Sequence, residues 1–230
     1  MSQTGRYTNQ GDAADGWRID RIVSPSRLIG ANGLRTHKDG RIYIAQVAGS
    51  QISALDPDSG EIETISAIDG PIVSPDDLAF DDDGNIYATE LTVGRVGMLT
   101  PKGEYRVLNG DMPVANPITY HKGKLIAGEC RPGGKIGTLD RDSGAFTPIL
   151  TDVPMPNAFE VGPDGKLYMP IMGTNQIWRV GLDGGEPEVV AGDLGVPDAI
   201  KFDSKGRIVT TQVASGQVLR IDVQTGEREL

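Results

Sequence analysis

Polar and apolar positions along the chain return with a period of about 41 residues. Each return opens on an Asn or Asp: Asn32, Asp76, Asn116, Asn157 and Asp198, at steps of 44, 40, 41 and 41 residues. Two residues on stands an apolar side chain (Leu34, Leu78, Ile118, Phe159, Ile200), and two further on Thr36, Phe80, Tyr120, Val161 and Phe202. Alternation with period two marks a strand whose two faces meet different surroundings. A glycine-bearing turn follows, as in Lys38-Asp39-Gly40 and Pro163-Asp164-Gly165, and glycine supplies the positive φ that such hairpins need. A second strand comes next, for example Arg41 to Ala45 and Lys166 to Pro170. A third is centred on Ile52, Val96, Ile136, Ile177 and Val218, each 20 residues past its opening residue. Turns such as Asp56 to Gly60 and Asp140 to Gly144 lead to a fourth, outer strand.

Four antiparallel strands per repeat, five times over, predict an all-β fold, a β-propeller of four-stranded blades. Residues 1–16 read as a flexible N-terminal segment, and 17–230 as a single propeller domain with repeats starting near 32, 76, 116, 157 and 198. The stretch from Trp17 to Ile29 looks like an outer strand without its blade. On that reading five repeats are visible of a six-bladed type that is shortened or incomplete. Direct closure of five blades is the alternative.

Composition narrows the partners. The formal net charge is −10, and there is no clustered Lys/Arg run of the kind that tracks phosphates, so nucleic acid is not expected. No apolar run approaches the length of a membrane span. The single cysteine, Cys130, permits no intrachain disulfide, and the N-terminus lacks the apolar core of a signal peptide. These features predict a cytoplasmic protein acting on a small molecule. Its oligomeric state is left open.

In a propeller the first strand of each blade lines the central channel. The five opening residues are therefore expected to form a ring of amide and carboxylate oxygens at one mouth. Oxygen-only ligands suit a hard cation, and calcium takes six to eight of them in relaxed geometry. The proposed ligands are Asn32, Asp76, Asn116, Asn157 and Asp198. A second polar ring is expected on the same face at the ends of the second strands, at Gln46, Glu90, Glu129, Ile171 and Gln212. Glu90, Glu129 and the neighbouring Arg131 are candidates for binding substrate. A cation among such groups can polarise a carbonyl or phosphoryl oxygen and activate water. The bland alternatives are that Asn and Asp merely cap turns through their own backbone, and that Glu90 and Glu129 are solvated loop residues. His37 and His121 fall beside the first turn of their repeats, on the far face. Cys130 has no sequence-adjacent base and is not expected to act as a nucleophile.

Two segments, Pro156-Asn157-Ala158-Phe159 with Pro163-Asp164-Gly165, and Pro197-Asp198-Ala199-Ile200 with Gly206-Arg207-Ile208, resemble the SMP-30/gluconolactonase/luciferin-regenerating-enzyme family. The likeness covers most of residues 30–230. It implies a six-bladed, metal-dependent hydrolase of lactones or phosphotriesters, its divalent cation often calcium. It also implies that Asn157 and Asn116 match the metal-binding Asn residues. Asp198 would match the metal-binding Asp, which is also the proposed base or nucleophile. The family places a Glu in the first inner strand where this chain has Asn32, a departure that Asp76 offsets from a different place. The expected function is calcium-dependent hydrolysis of a lactone or other small ester, with Asp198 catalytic. The alternative is a non-catalytic binding propeller of the NHL kind, with the polar ring capping turns.

Overall fold

A computed structural model describes residues 13–23 and 27–230. Most of the N-terminal segment expected to be flexible, residues 1–12, lies outside the described residues. Five four-stranded antiparallel sheets follow one another along the chain. Blade 1 holds β1 (Ala31–Thr36), β2 (Ile42–Gln46), β3 (Gln51–Leu55) and β4 (Ile62–Ser66). Blade 2 holds β5 (Pro75–Phe80), β6 (Ile86–Glu90), β7 (Arg95–Leu99) and β8 (Tyr105–Asn109). Blade 3 holds β9 (Ala115–His121), β10 (Lys124–Glu129), β11 (Gly134–Leu139) and β12 (Phe146–Val153). Blade 4 holds β13 (Glu160–Val161), β14 (Leu167–Ile171), β15 (Gln176–Val180) and β16 (Glu188–Ala191). Blade 5 holds β17 (Pro197–Phe202), β18 (Ile208–Gln212), β19 (Gln217–Ile221) and β20 (Arg228–Glu229). Strands pair in chain order within each blade, and the first is the innermost. The hairpin glycines sit where the sequence places them, with φ of 86° at Gly40 and 76° at Gly165, conformations that cost a Cβ-bearing residue about 1 kcal/mol or more.

The apolar side chains of successive blades interdigitate into four cores, between blades 1 and 2, 2 and 3, 3 and 4, and 4 and 5. Among the described residues no such core joins blade 5 to blade 1. Burial of equivalent positions shows the consequence. Leu78, Ile118, Phe159 and Ile200 are 0% exposed, whereas Leu34 is 48% exposed. Ile52, Val96, Ile136 and Ile177 are likewise 0% exposed, whereas Val218 is 54% exposed. The ring is therefore open between its first and last blades, and the alternative of five blades closing directly is not realised.

The outer strand expected over residues 17–29 is a correction. Its described residues form no strand, because each of the five sheets is already filled by four strands of its own repeat and none offers three strands for it to join. The segment instead links the two sides of the opening. The Arg220 guanidinium of β19 stacks on the Trp17 ring at 5.0 Å, and a Cβ on Gly60 of blade 1 would come within 3.2 Å of the Ile22 carbonyl.

An arginine ties the inner strands together. The inner strand of a blade has one sheet edge with no pairing partner, and its carbonyls need donors if they are withdrawn from water. Arg35 of β1 crosses the channel and donates to the carbonyls of Leu78 (2.8 Å), Ile118 (2.7 Å) and Phe159 (3.1 Å), one each from blades 2, 3 and 4. It also pairs with Glu160 at 2.9 Å and Asp77 at 3.4 Å. Lys201 of β17 adds blade 5 through Glu160, at 2.8 Å. Burial opposes the Arg35 charge, but Asp77 and Glu160 outweigh it and hold its pKa above the ordinary arginine value. Arg35→Ala is expected to lower the free energy of unfolding by about 3–5 kcal/mol, because it leaves Asp77 without its cation and strands three carbonyls. Urea unfolding would read the loss, and a change within error of zero would refute the cross-channel role.

Candidate functional site at the channel mouth

Each opening residue is aimed into the channel by an irregularity in its strand. In blade 1 the register runs from Ala31 opposite Gln46 to Leu34 opposite Ile44, so Asn32 and Gly33 together face one residue. The same break falls between Pro75 and Leu78, between Ala115 and Ile118, and between Pro197 and Ile200. A bulge of this kind bends the strand and re-aims a side chain. Blade 4 reaches the same end by another route. Pro156 bridges Ile171, the Asn157 N–H donates to the Pro170 carbonyl at 2.9 Å, and Ala158 takes a φ of 32°.

The structure brings the ring together in part as two pairs. The Asn32 amide donates to Asp76 Oδ2 at 3.1 Å, and the Asn157 amide to Asp198 Oδ1 at 2.6 Å. Asp76 and Asn116 are buried, at 3% and 6% exposure. Burial first, then the charges of Asp77 and Asp198, pushes the Asp76 pKa up to about 7. Asp198 is raised for the same reasons, burial and then Asp77, with the Asn157 bond acting against them. Asn116 Oδ1 is buried and has no partner among the described residues, a costly state for an amide oxygen. Two carboxylates raised by burial and by the nearby Asp77 charge, and an orphaned amide oxygen, are what an oxygen-liganded cation would relieve, and in that sense the residues fit a hard divalent ion. Among the described residues no three His, Cys, Asp or Glu side chains gather as a cation site. The donors would therefore be Asp76, Asp198 and amide oxygens. Asn157 also caps its own turn, accepting the Ala158 N–H on Oδ1 at 2.8 Å.

The second polar ring does different work from that expected. Gln46, Glu90, Glu129, Ile171 and Gln212 are all buried. Three of them accept an N–H from the loop that leads into their blade: Ile29 to Gln46 at 2.7 Å, Val73 to Glu90 at 2.8 Å, and Gly195 to Gln212. Glu90 is 0% exposed, and its oxygens also take Arg95 (2.7 Å) and the Tyr105 hydroxyl (2.5 Å). It anchors the loop and has no face left for a substrate. Glu129 is buried against Arg131 at 2.7 Å, and the half-exposed Arg131 is the outward member of that pair. His37 stacks between Tyr43 and Phe80 beside the first turn, away from the ring. The Cys130 thiol lies 4.0 Å from Met172 Sδ. Burial, then Asp76 and Asp198, pushes its pKa up to about 12, which leaves it a poor nucleophile.

Four charged residues of the channel were not among the sequence candidates: Arg35, Asp77, Glu160 and Lys201. Three of them stand three residues after an opening residue. The bulge places that position on the channel side, so a charge there in an otherwise apolar strand was the available signal. The mouth opens sideways into a cleft between blades 5 and 1, lined by Asp76, Asn157 and Asp198 and also by Leu34, Lys201 and Val218. Among the described residues no helix is long and apolar enough to cross a membrane.

A sequence profile described as the SMP-30/Gluconolactonase/LRE-like region matches residues 6–229. No curated protein sequence matches the chain. Among solved structures, a gluconolactonase from Xanthomonas campestris is similar at 14% identity and a TM-score of 0.76, over 87% of this chain and 74% of that one. A calcium-binding protein, regucalcin, from Agrobacterium tumefaciens is similar at 21% identity and a TM-score of 0.74, over 91% and 75%. A virginiamycin B lyase from Staphylococcus aureus is similar at 20% identity and a TM-score of 0.69, over 88% and 70%. At these identities the likeness to the solved structures shows the propeller fold alone.

The raised Asp76 pKa has a definite sign in stability. Native protein holds this proton better than unfolded chain does, so the stabilisation is complete below the ordinary carboxylate range and is lost as pH rises through about 7. With chelator present, the melting temperature is expected to fall by roughly 5 °C more between pH 5 and pH 8 in wild type than in Asp76→Asn. Equal slopes in the two proteins would show that the Asp76 charge is not strained.

Proposed function

The chain belongs to the SMP-30/gluconolactonase/LRE-like family, and from that premise we propose that it is a calcium-dependent hydrolase of a lactone or other small ester. The observations that carry the reading are the two raised carboxylates at the channel mouth, Asp76 and Asp198, and the buried, unpartnered Asn116 oxygen. The gluconolactonase and the calcium-binding regucalcin among the structural relatives support the same reading. Asp76, Asn116, Asn157 and Asp198 would hold the cation, with Asn32 completing the ring. A bound divalent ion supplies Lewis-acid polarisation of the ester carbonyl. Asp198 is less buried than Asp76 and lines the cleft, which suits it to the reacting water. Its carboxylate would take the proton as the water oxygen attacks the carbonyl carbon and return it to the ring oxygen as the ring C–O bond breaks, leaving a hydroxy acid. In the alternative route the carboxylate attacks that carbon itself, and the ring oxygen leaves and takes a proton from water. A second water then cleaves the resulting mixed anhydride to release the hydroxy acid and regenerate Asp198. Arg131 stands near the mouth as a contact for substrate, fixed by Glu129. Glu90 acts through the loop it anchors.

The substrate is a small molecule, with neither nucleic acid nor membrane as partner. With Cys130 as the sole cysteine, the fold relies on no disulfide, which supports a cytoplasmic setting. The unpacked position between blades 5 and 1 supports a six-bladed type with one place open. A second reading, a binding propeller whose ring only caps turns, is favoured by the Ala158 N–H bond to Asn157 Oδ1.

Calcium is expected to bind in calorimetry and to raise the melting temperature at pH 8. A lactone panel is expected to be hydrolysed without chelator and spared with it. Asp198→Ala is expected to lose about 100-fold or more in kcat. Absence of any bound divalent ion would overturn the metal assignment. Full activity in Asp198→Ala would overturn the catalytic one.

A further inference from the structure

The cleft between blades 5 and 1 has a volume of about 680 Å³, within the range of about 300–1,000 Å³ typical of small-molecule sites. Its lining includes four residues of the polar ring, Asn32, Asp76, Asn157 and Asp198. It also includes the two positions whose counterparts are fully buried in every other blade, Leu34 at 48% and Val218 at 54% exposure, together with Val213 at 59%. The cleft is thus continuous from the carboxylates to an apolar wall that lacks its packing partner. Lys201, the cation among its lining residues, is paired with Glu160 at 2.8 Å.

We infer that the substrate is a lactone or ester with an apolar arm, and that this arm lies along Leu34, Val213 and Val218 while its carbonyl meets the polar ring. The inference rests on the hydrolase reading above for the chemistry at the carbonyl. The arm gains by covering apolar surface that the open ring leaves in water. Each added methylene should strengthen binding until the wall is covered.

The test uses the full chain with calcium and a series of γ-lactones substituted from methyl to hexyl. The ratio kcat/KM is expected to rise about threefold per methylene. Val218→Ser and Val213→Ser are expected to flatten the series, and Val189→Ser, equally exposed on the outer strand of blade 4, to leave it steep. A flat or falling series in wild type overturns the inference while leaving the hydrolase reading intact. If no lactone is hydrolysed, that reading fails. Calorimetry with the matching alkyl lactams, which are not cleaved, then still decides the cleft: tightening with chain length that Val218→Ser abolishes upholds it, and no dependence overturns it. Self-association in sedimentation that Val218→Lys abolishes would assign the wall to a second copy of the chain and overturn the inference.

Discussion

The Arg35 guanidinium is the interaction on which the arrangement of the blades depends. A propeller normally holds its inner strands in place by closing, so that every blade is pressed between two neighbours. This ring is not closed, and its four apolar cores hold only four of the five junctions. Arg35 compensates from within. It starts on the first blade and reaches carbonyls on the second, third and fourth, and Glu160 passes the connection to Lys201 on the fifth. The planar, five-donor guanidinium suits this task where an ammonium would not, because several fixed acceptors must be met at once. Burying it has a desolvation cost, met by the two carboxylates beside it. The same contacts set the floor of the site, since Asp77 adjoins Asp76 and its charge helps to raise both Asp76 and Asp198.

Above that floor the site is a product of strand irregularity. Four bulges and one bridged segment carry the five opening residues, of which Asn32 with Asp76 and Asn157 with Asp198 pair and line the cleft. The loops that carry them are fixed by buried Gln46, Glu90 and Gln212, each accepting an N–H 17 residues back in the chain. Rigid support below and strained charge above is the pattern of a functional constellation. Turn capping by itself would favour small polar residues satisfied by their own backbone, as Asn157 is in part. It does not account for two buried carboxylates both raised beside the charge of Asp77, nor for a buried amide oxygen with no partner among the described residues.

Much of the fold was legible in the residues. Alternation marked the strands, the glycine turns marked the hairpins, and the repeat of Asn32, Asp76, Asn116, Asn157 and Asp198 marked the mouth. The second ring was located correctly but its role was not legible. Glu90 reads as a carboxylate at a loop, and nothing nearby in the sequence reveals that Val73, Arg95 and Tyr105 converge on it. Arg35 escaped notice because its partners lie 42 to 125 residues away on other strands. The segment from Trp17 to Ile29 has the composition of a strand, but pairing requires a sheet with a vacant place, and each of the five sheets is filled by four strands of its own repeat.

The sequence by itself determined which residues repeat, and therefore that the chain forms five four-stranded units, each opening on an Asn or Asp. Short-range periodicity and turn chemistry are local properties, and a strand–turn–strand unit follows from them wherever it is placed. Only the tertiary structure decided whether the blades meet in a closed ring, which charges face one another across the channel, and where apolar surface is left uncovered. Those outcomes depend on the packing of the first blade against the last. Leu34 and Val218 have the same character as their buried counterparts, and differ from them only in having no neighbouring blade to cover them.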